Sequence, residues 1–192
     1  MDQEFYYLPK QNIELENIET NGFILDIGGG GEGIIGQLCG NKVIAIDPLE
    51  EELEETKNDS LKIVMDGCDL KFISSSFSLV TSFFTFMYIE KDKRIQVLKE
   101  VNRVLGDEGE MMIWDLTLSE NVITDKEIVV IPLNVILPDR TIETGYGCRW
   151  KNKQQTVEDY EGLFIEAGFV IIEKKVNKDL FYFHIKKKPI IG

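Results

Sequence analysis

The sequence predicts an α/β fold built on a mostly parallel sheet, and three observations lead there. Short apolar runs end on an acid or on glycines, amphipathic stretches separate them, and the last two β-rich runs are joined too tightly for a crossover. The first run, Phe23-Ile24-Leu25-Asp26-Ile27, opens into a glycine cluster, followed by a short helix over residues 34–39. Val43-Ile44-Ala45-Ile46-Asp47 is the second run, and Pro48-Leu49-Glu50 then starts a helix with proline at the position that tolerates it. Leu61-Lys62-Ile63-Val64-Met65-Asp66 is the third, read as closing on its acid. Ser78-Leu79-Val80-Thr81-Ser82-Phe83 and Met111-Met112-Ile113-Trp114-Asp115 are the fourth and fifth. Between them Ile95, Leu98, Val101, Val104 and Leu105 recur at helical spacing, with Gly106 just past the end.

Two hairpins complete the plan. Residues 128–137 and 141–147 flank Pro138-Asp139-Arg140 and read as an insertion before the last helix. That helix starts at Thr156 with Asp159 three residues on, a capping-box pattern. It carries Tyr160, Leu163, Phe164 and Ala167 on one face and stops at Gly168. Residues 169–176 and 180–185 meet across Asn177-Lys178-Asp179 and must be antiparallel neighbours. With no repeats and no Pro- or Ser-rich linker, the 192 residues read as one domain, comprising an N-terminal segment 1–21 and a hairpin insertion 120–155 that could cover a substrate.

Composition narrows the partners. The chain is 43% hydrophobic and 29% charged, which excludes disorder and low-complexity classes. Its 21 Lys and Arg against 34 Asp and Glu give a formal net charge of −13. Such a surface repels phosphate backbones, and Lys186, Lys187 and Lys188 are the one basic strip, so nucleic acid is disfavoured as a partner. Cys39, Cys68 and Cys148 are odd in number and far apart, which suits a reducing cytoplasm and offers no zinc site. No metal site is expected. No apolar run reaches signal-peptide or membrane-span length, so a cytoplasmic protein without membrane contact is expected. Glu50, Glu51, Glu52, Glu54 and Glu55 read as a solvated helical face near the positive end of a helix dipole.

The candidate site lies at the strand ends. Asp26-Ile27-Gly28-Gly29-Gly30-Gly31-Glu32-Gly33 is a strand-to-helix loop whose glycines allow positive φ and close approach of a ligand. Amides at the coming helix start are expected to face that ligand. Gly28, Gly30 and Gly33 satisfy the dinucleotide template and also a looser nucleoside-binding one. Asp47 ends the second strand about twenty residues past Gly28, where a carboxylate takes both hydroxyls of a ribose. It could also cap the helix that follows, and both roles can hold together. Asp66 adds a third carboxylate at the same sheet edge, and three like charges there call for a cationic or donor-rich ligand.

On these residues the chain resembles the class I S-adenosylmethionine-dependent methyltransferases. Ile24-Leu25-Asp26-Ile27-Gly28-Gly29-Gly30-Gly31 is similar to the family's D-x-G-x-G-x-G motif, and Met65-Asp66-Gly67-Cys68-Asp69-Leu70-Lys71-Phe72 to its G-D-A-x-x-L-P-F segment. Phe77-Ser78-Leu79-Val80 and Asn102-Arg103-Val104-Leu105-Gly106 resemble its later strand and helix-end motifs. Ser78 stands where the family has Asp, and Gly106-Asp107-Glu108-Gly109 departs from its P-G-G turn. The resemblance implies a three-layer Rossmann-like sandwich whose mostly parallel seven-stranded sheet has its last strand antiparallel, plus the small inserted β-hairpin. It implies S-adenosyl-L-methionine as cofactor, held by Asp26, Gly28, Gly29, Gly30, Asp47, Pro48, Asp66, Gly67, Cys68 and Phe83. By that likeness Asp26 serves the methionine amino group, Asp47 the ribose and Asp66 the adenine amino group. Pro48 packs near the adenine, and the backbone at Gly67 or Cys68 donates to a ring nitrogen.

The implied reaction is methyl transfer to a small-molecule or protein acceptor. Asn-Pro-Pro-Tyr, frequent in the family's amino-group enzymes for nucleobases and glutamine, is absent after strand four; Ser82-Phe83-Phe84-Thr85-Phe86-Met87-Tyr88 stands there. Tyr88 and Asp115, after strands four and five, are the candidates for positioning or deprotonating an acceptor. His184 falls in the last strand, remote from that edge. Phe5, Tyr6 and Tyr7 would form an aromatic lid or pack an N-terminal helix. Glu143, Tyr146, Arg149 and Trp150 sit on the hairpin where the family varies its substrate cover. Two other readings remain at this point: a catalytically silent cofactor-binding subunit, and a nicotinamide-dependent oxidoreductase using the same glycines.

Overall fold

A computed structural model of the chain describes residues 5–118, 126–151 and 153–189. Strands β1 (Phe5–Tyr7) and β2 (Gln11–Glu14) come first, then β3 (Ile24–Ile27), α1 (Ile34–Cys39), β4 (Val43–Asp47), α2 (Glu50–Glu55) and β5 (Leu61–Val64). They are followed by β6 (Phe77–Phe83), α3 (Lys91–Val104), β7 (Leu105–Leu116) and the hairpin β8 (Ile128–Ile136) and β9 (Thr141–Arg149). Helix α4 (Val157–Glu166) and the hairpin β10 (Phe169–Asn177) and β11 (Leu180–Lys187) end the chain. A seven-stranded sheet runs β10-β11-β7-β6-β3-β4-β5, and β11 is antiparallel to both its neighbours while the pairs from β7 to β5 are parallel. This is the sheet the sequence predicts. Its centre is β3, buried at all four residues, as an apolar run covered on both faces must be.

Each face of the sheet has its own core. On one face Val97, Leu98, Val101 and Val104 of α3 and Tyr160 and Phe164 of α4 pack on Leu25, Val80, Ile113 and Phe183. Helix α4 begins with the capping box: the Thr156 hydroxyl accepts from the Asp159 amide at 3.1 Å, and Asp159 accepts from the Thr156 amide at 2.9 Å. The other face carries α1, α2 and a second sheet, whose Val129, Ile131, Leu133 and Val135 join Ile24, Ile35, Val43 and Leu79. The third layer is therefore partly β, and the inserted hairpin is larger than a hairpin.

The N-terminal segment completes that second sheet. Neither an N-terminal helix nor an aromatic lid forms at Phe5, Tyr6 and Tyr7; β1 and β2 pair parallel with β8, and Tyr6 and Tyr7 are exposed. Register explains the gap between them. Tyr7 pairs with Val130 and Gln11 with Leu133, so the break falls opposite Ile131 and Pro132, where proline has no N–H for a ladder. On its other side β8 pairs antiparallel with β9, along the predicted turn at Pro138-Asp139-Arg140. Strand β5 stops at Val64, so Asp66 stands two residues beyond the strand rather than closing it.

Candidate functional site

The carboxyl ends of β3, β4 and β6 and the loop after β5 surround a cleft of about 630 Å³, roofed by residues 145–147 of β9. Asp26, Asp47 and Asp66 all line it, together with Gly28, Gly30, Pro48, Gly67, Cys68, Phe83 and Tyr88. Gly29, predicted with them, does not: a Cβ there would sit 2.7 Å from the Ala45 Cβ and 2.8 Å from an Asp26 oxygen. Its role is to let the loop lie against β4. Gly28 adopts φ +72°, and a Cβ on it would come within 2.3 Å of the Thr85 side chain.

The three aspartates differ in environment. Asp26 is buried within β3 and accepts from the Thr81 hydroxyl at 2.8 Å. Burial raises its pKa to about 7 against that hydrogen bond, and the Asp47 charge raises it further. Asp47 is half-buried; burial raises its pKa too, opposed by the Leu49 and Gly30 amides. One of its oxygens accepts from the Leu49 amide at 2.9 Å, so it organises the entry to α2 while still facing the glycine loop. Asp66 is exposed and accepts from the Cys68 amide at 2.8 Å. The Cys68 amide is thereby engaged, which leaves Gly67 as the backbone donor of that pair.

The amides of the loop glycines are engaged within the protein. Gly28 and Gly29 both donate to the Ile46 carbonyl, Gly31 to the Glu52 carbonyl and Gly33 to the Gly30 carbonyl, while Gly30 serves Asp47. Glu32 and Glu52, which the sequence reading passed over, line the same wall. Glu52 belongs to the acidic run read as solvated; burial and the neighbouring carboxylates raise its pKa. Only its position beside the buried Leu53 could have marked it out. Lys93 is the one cation among the described residues that line the cleft. The wall thus repels a pyrophosphate and suits a cation. Among the described residues no three His, Cys, Asp or Glu side chains are placed to hold a metal.

At the far end of the cleft the chain makes a strained turn. Phe84 follows β6 at φ +52°, a conformation that costs a bulky residue about 1–3 kcal/mol. Its amide donates to the Trp114 carbonyl at 2.8 Å, and its buried ring stacks on Tyr146 at 4.8 Å and 12°. The turn directs Thr85 back to the Ile27 carbonyl at 3.0 Å and leads into Phe86, Met87 and Tyr88. Burial raises the pKa of the Tyr88 phenol, which meets the Gly147 amide.

Asp115 is elsewhere. It is fully buried, lines no part of the cleft, and accepts from the amides of Met87 at 3.1 Å and Leu116 at 2.8 Å and from Gln155 at 2.9 Å. Burial raises its pKa to about 6, with those donors and Arg94 opposing. It holds the turn that carries Tyr88 and touches no reactant space. His184 pairs with Glu110 at 2.8 Å on the outer strands. Of the four hairpin side chains singled out in the sequence, that of Tyr146 reaches the cleft, whereas Glu143 pairs with Lys10, Arg149 with Glu127, and Trp150 is buried.

Residues 25–113 match the family model of the methyltransferase domain. That match spans a little under half of the chain, and over it the chain carries a methyltransferase domain. Solved structures agree on the fold. An S-adenosylmethionine-dependent methyltransferase from Methanosarcina mazei superposes with a TM-score of 0.67 at 17% identity, over 91% of this chain and 96% of its own. A protein from Pyrococcus horikoshii gives 0.65 at 20% identity over 88% and 84%. An S-adenosylmethionine-dependent methyltransferase from Clostridium acetobutylicum gives 0.60 at 18% identity over 87% and 84%. No curated protein sequence matches the chain. Among the described residues no helix is long and apolar enough to cross a membrane.

Proposed function

We propose that this methyltransferase domain is an active enzyme, a single unit over residues 1–192, which transfers a methyl group in line to a small-molecule or protein acceptor in the cytoplasm. The observation that carries the reading is the convergence of Asp26, Asp47 and Asp66 on one cleft whose loop-glycine amides already serve protein acceptors. A dinucleotide pyrophosphate asks for free glycine amides and for few carboxylates, and this lining favours the nicotinamide reading less. The site fits an adenosyl sulfonium: the glycines remove Cβ atoms that would collide with Thr85 and Glu52, and carboxylates surround the space they clear.

S-adenosylmethionine supplies an electrophilic methyl group on a cationic sulfur. Asp47, at the end of β4, is placed to accept from a vicinal diol with charge-assisted bonds of about 1.5–3 kcal/mol each. Asp66 offers an acceptor to an exocyclic amine beside the Gly67 amide, and Pro48 an apolar edge. Asp26, when ionised, pairs with an ammonium. The acceptor half of the cleft is formed by Phe83, Phe84, Tyr88 and the roof of β9, which hold an acceptor close and exclude water. Replacing Asp47 by Ala is expected to weaken S-adenosylhomocysteine binding at least about tenfold by calorimetry, a loss of about 1.4 kcal/mol. Unchanged affinity would overturn the ribose assignment. Release of S-adenosylhomocysteine by the purified chain on a metabolite pool separates an enzyme from a silent binding subunit.

A further inference from the structure

Tyr146 is the residue of the roof whose chemistry the cofactor does not account for. Its ring is held from two sides, stacked on Phe84 at 4.8 Å and edge-on to Phe83 at 6.1 Å. Gly145 and Gly147 flank it, so nothing else on β9 screens that part of the cleft. Strand β9 is itself tied to the opposite wall: Thr144 donates to Glu32 at 2.5 Å, and Arg140 reaches Gln37 of α1 at 3.2 Å. Among the described residues the Tyr146 hydroxyl makes no hydrogen bond, although Glu32, Tyr88 and Asp26 all act on it electrostatically. A partly buried phenol without a partner in a cleft normally meets one on the ligand.

We infer that Tyr146 is the acceptor-binding residue and that the acceptor is a small amine on an apolar or aromatic frame. This rests on the methyltransferase reading and deepens it. Phe83, Phe84, Tyr88 and Tyr146 line the cleft with six carboxylates, at Asp26, Glu32, Asp47, Glu52, Asp66 and Glu90, of which Glu90 pairs with Lys153 at 3.4 Å, against Lys93. Aromatic faces and carboxylates attract an ammonium and repel a carboxylate, phosphate or phenolate. Methylation conserves that match. The bound ammonium first yields a proton to a cleft carboxylate. Its nitrogen lone pair then becomes the new N–C bond, while sulfur keeps the pair of the broken C–S bond. Positive charge passes from sulfur to nitrogen and stays inside the acidic, aromatic cleft. An anionic oxygen acceptor would instead have to enter against the field. The phenol of Tyr146 accepts one amine N–H and so orients the lone pair.

The experiment measures three matched probes, phenethylamine, 2-phenylethanol and phenylacetate, by calorimetry on the full chain saturated with S-adenosylhomocysteine. Phenethylamine is expected to bind at least about tenfold tighter than phenylacetate, with the alcohol between them. Tyr146→Phe keeps the stacked ring and is expected to weaken phenethylamine about threefold to tenfold while S-adenosylhomocysteine still binds. The inference is overturned by phenylacetate binding as tightly as the amine, by no amine binding at about 10 mM, or by an amine affinity indifferent to Tyr146→Phe. It is overturned equally if that variant loses S-adenosylhomocysteine affinity instead. Failure of S-adenosylhomocysteine to bind the wild-type chain is a separate result, and sinks the methyltransferase reading itself.

Discussion

Asp26 and Asp115 occupy equivalent places on two strands of one sheet and have opposite surroundings. Both are fully buried near the carboxyl ends of their strands, and burial raises the pKa of both. Asp115 meets three donors, from Met87, Leu116 and Gln155, and Gln155 is itself held by the Tyr160 hydroxyl at 2.8 Å. Among the described residues Asp26 has Thr81 alone, and it opens onto the cleft. A carboxylate at the functional edge of an α/β sheet is thus no guide to its role. Whether the fold already satisfies it decides the matter: the satisfied one is architecture, and the other awaits a ligand.

The largest effect expected from that contrast is on stability. Asp115→Ala leaves three buried donors without an acceptor and should cost about 3–5 kcal/mol in urea unfolding, while S-adenosylhomocysteine affinity, measured on the folded fraction, moves little. Asp26→Ala should do the reverse, changing stability by less than about 1 kcal/mol and weakening S-adenosylhomocysteine at least tenfold. Equal effects of the two variants would erase the distinction.

Next in size is a pH effect. The Asp26 pKa of about 7 lies above its unfolded value, so the folded ligand-free chain binds more protons there than the unfolded one between about pH 4 and 7. Asp26 therefore favours folding at low pH, and that contribution is lost as pH rises through 7. An ammonium-bearing ligand needs the ionised form. Its affinity should rise about tenfold between pH 6 and pH 8 and flatten in Asp26→Asn, whereas Asp115→Asn should leave the slope in place. Calorimetry at the two pH values decides.

The smallest expected change calibrates the others. Thr156→Ala removes the cap of α4 on the helical face, and should cost about 1 kcal/mol, or 2–4 °C in melting temperature, with no change in ligand affinity.

Much of the cofactor half was legible because it is local in sequence. Apolar runs announce buried parallel strands, and each strand end carries its cleft-lining residue within a few positions, as at Asp26, Asp47 and Pro48. The glycine loop was legible as a loop, but the partners of its amides were not. The carbonyls of Ile46 and Glu52 that engage its amides come from β4 and α2, and no spacing within the loop reveals them. Glu52 was hidden inside a run of identical charges. The acceptor half was far less readable, since Phe84 and Tyr146 are 62 positions apart and meet only because β9 lies over the turn after β6.

The sequence by itself determined the order and type of the elements from β3 onward, the parallel sheet with its antiparallel end, and the three acids at one edge. Those follow from hydrophobic periodicity, glycine and proline chemistry, and chain direction, all of which act over a few residues. Tertiary structure alone decided that the N-terminal segment becomes strands beside β8 and that Asp115 is satisfied while Asp26 is not. It also brought Tyr146 over the cleft. Each of these depends on which distant donor, acceptor or ring arrives at a given place, and packing, not local preference, settles that.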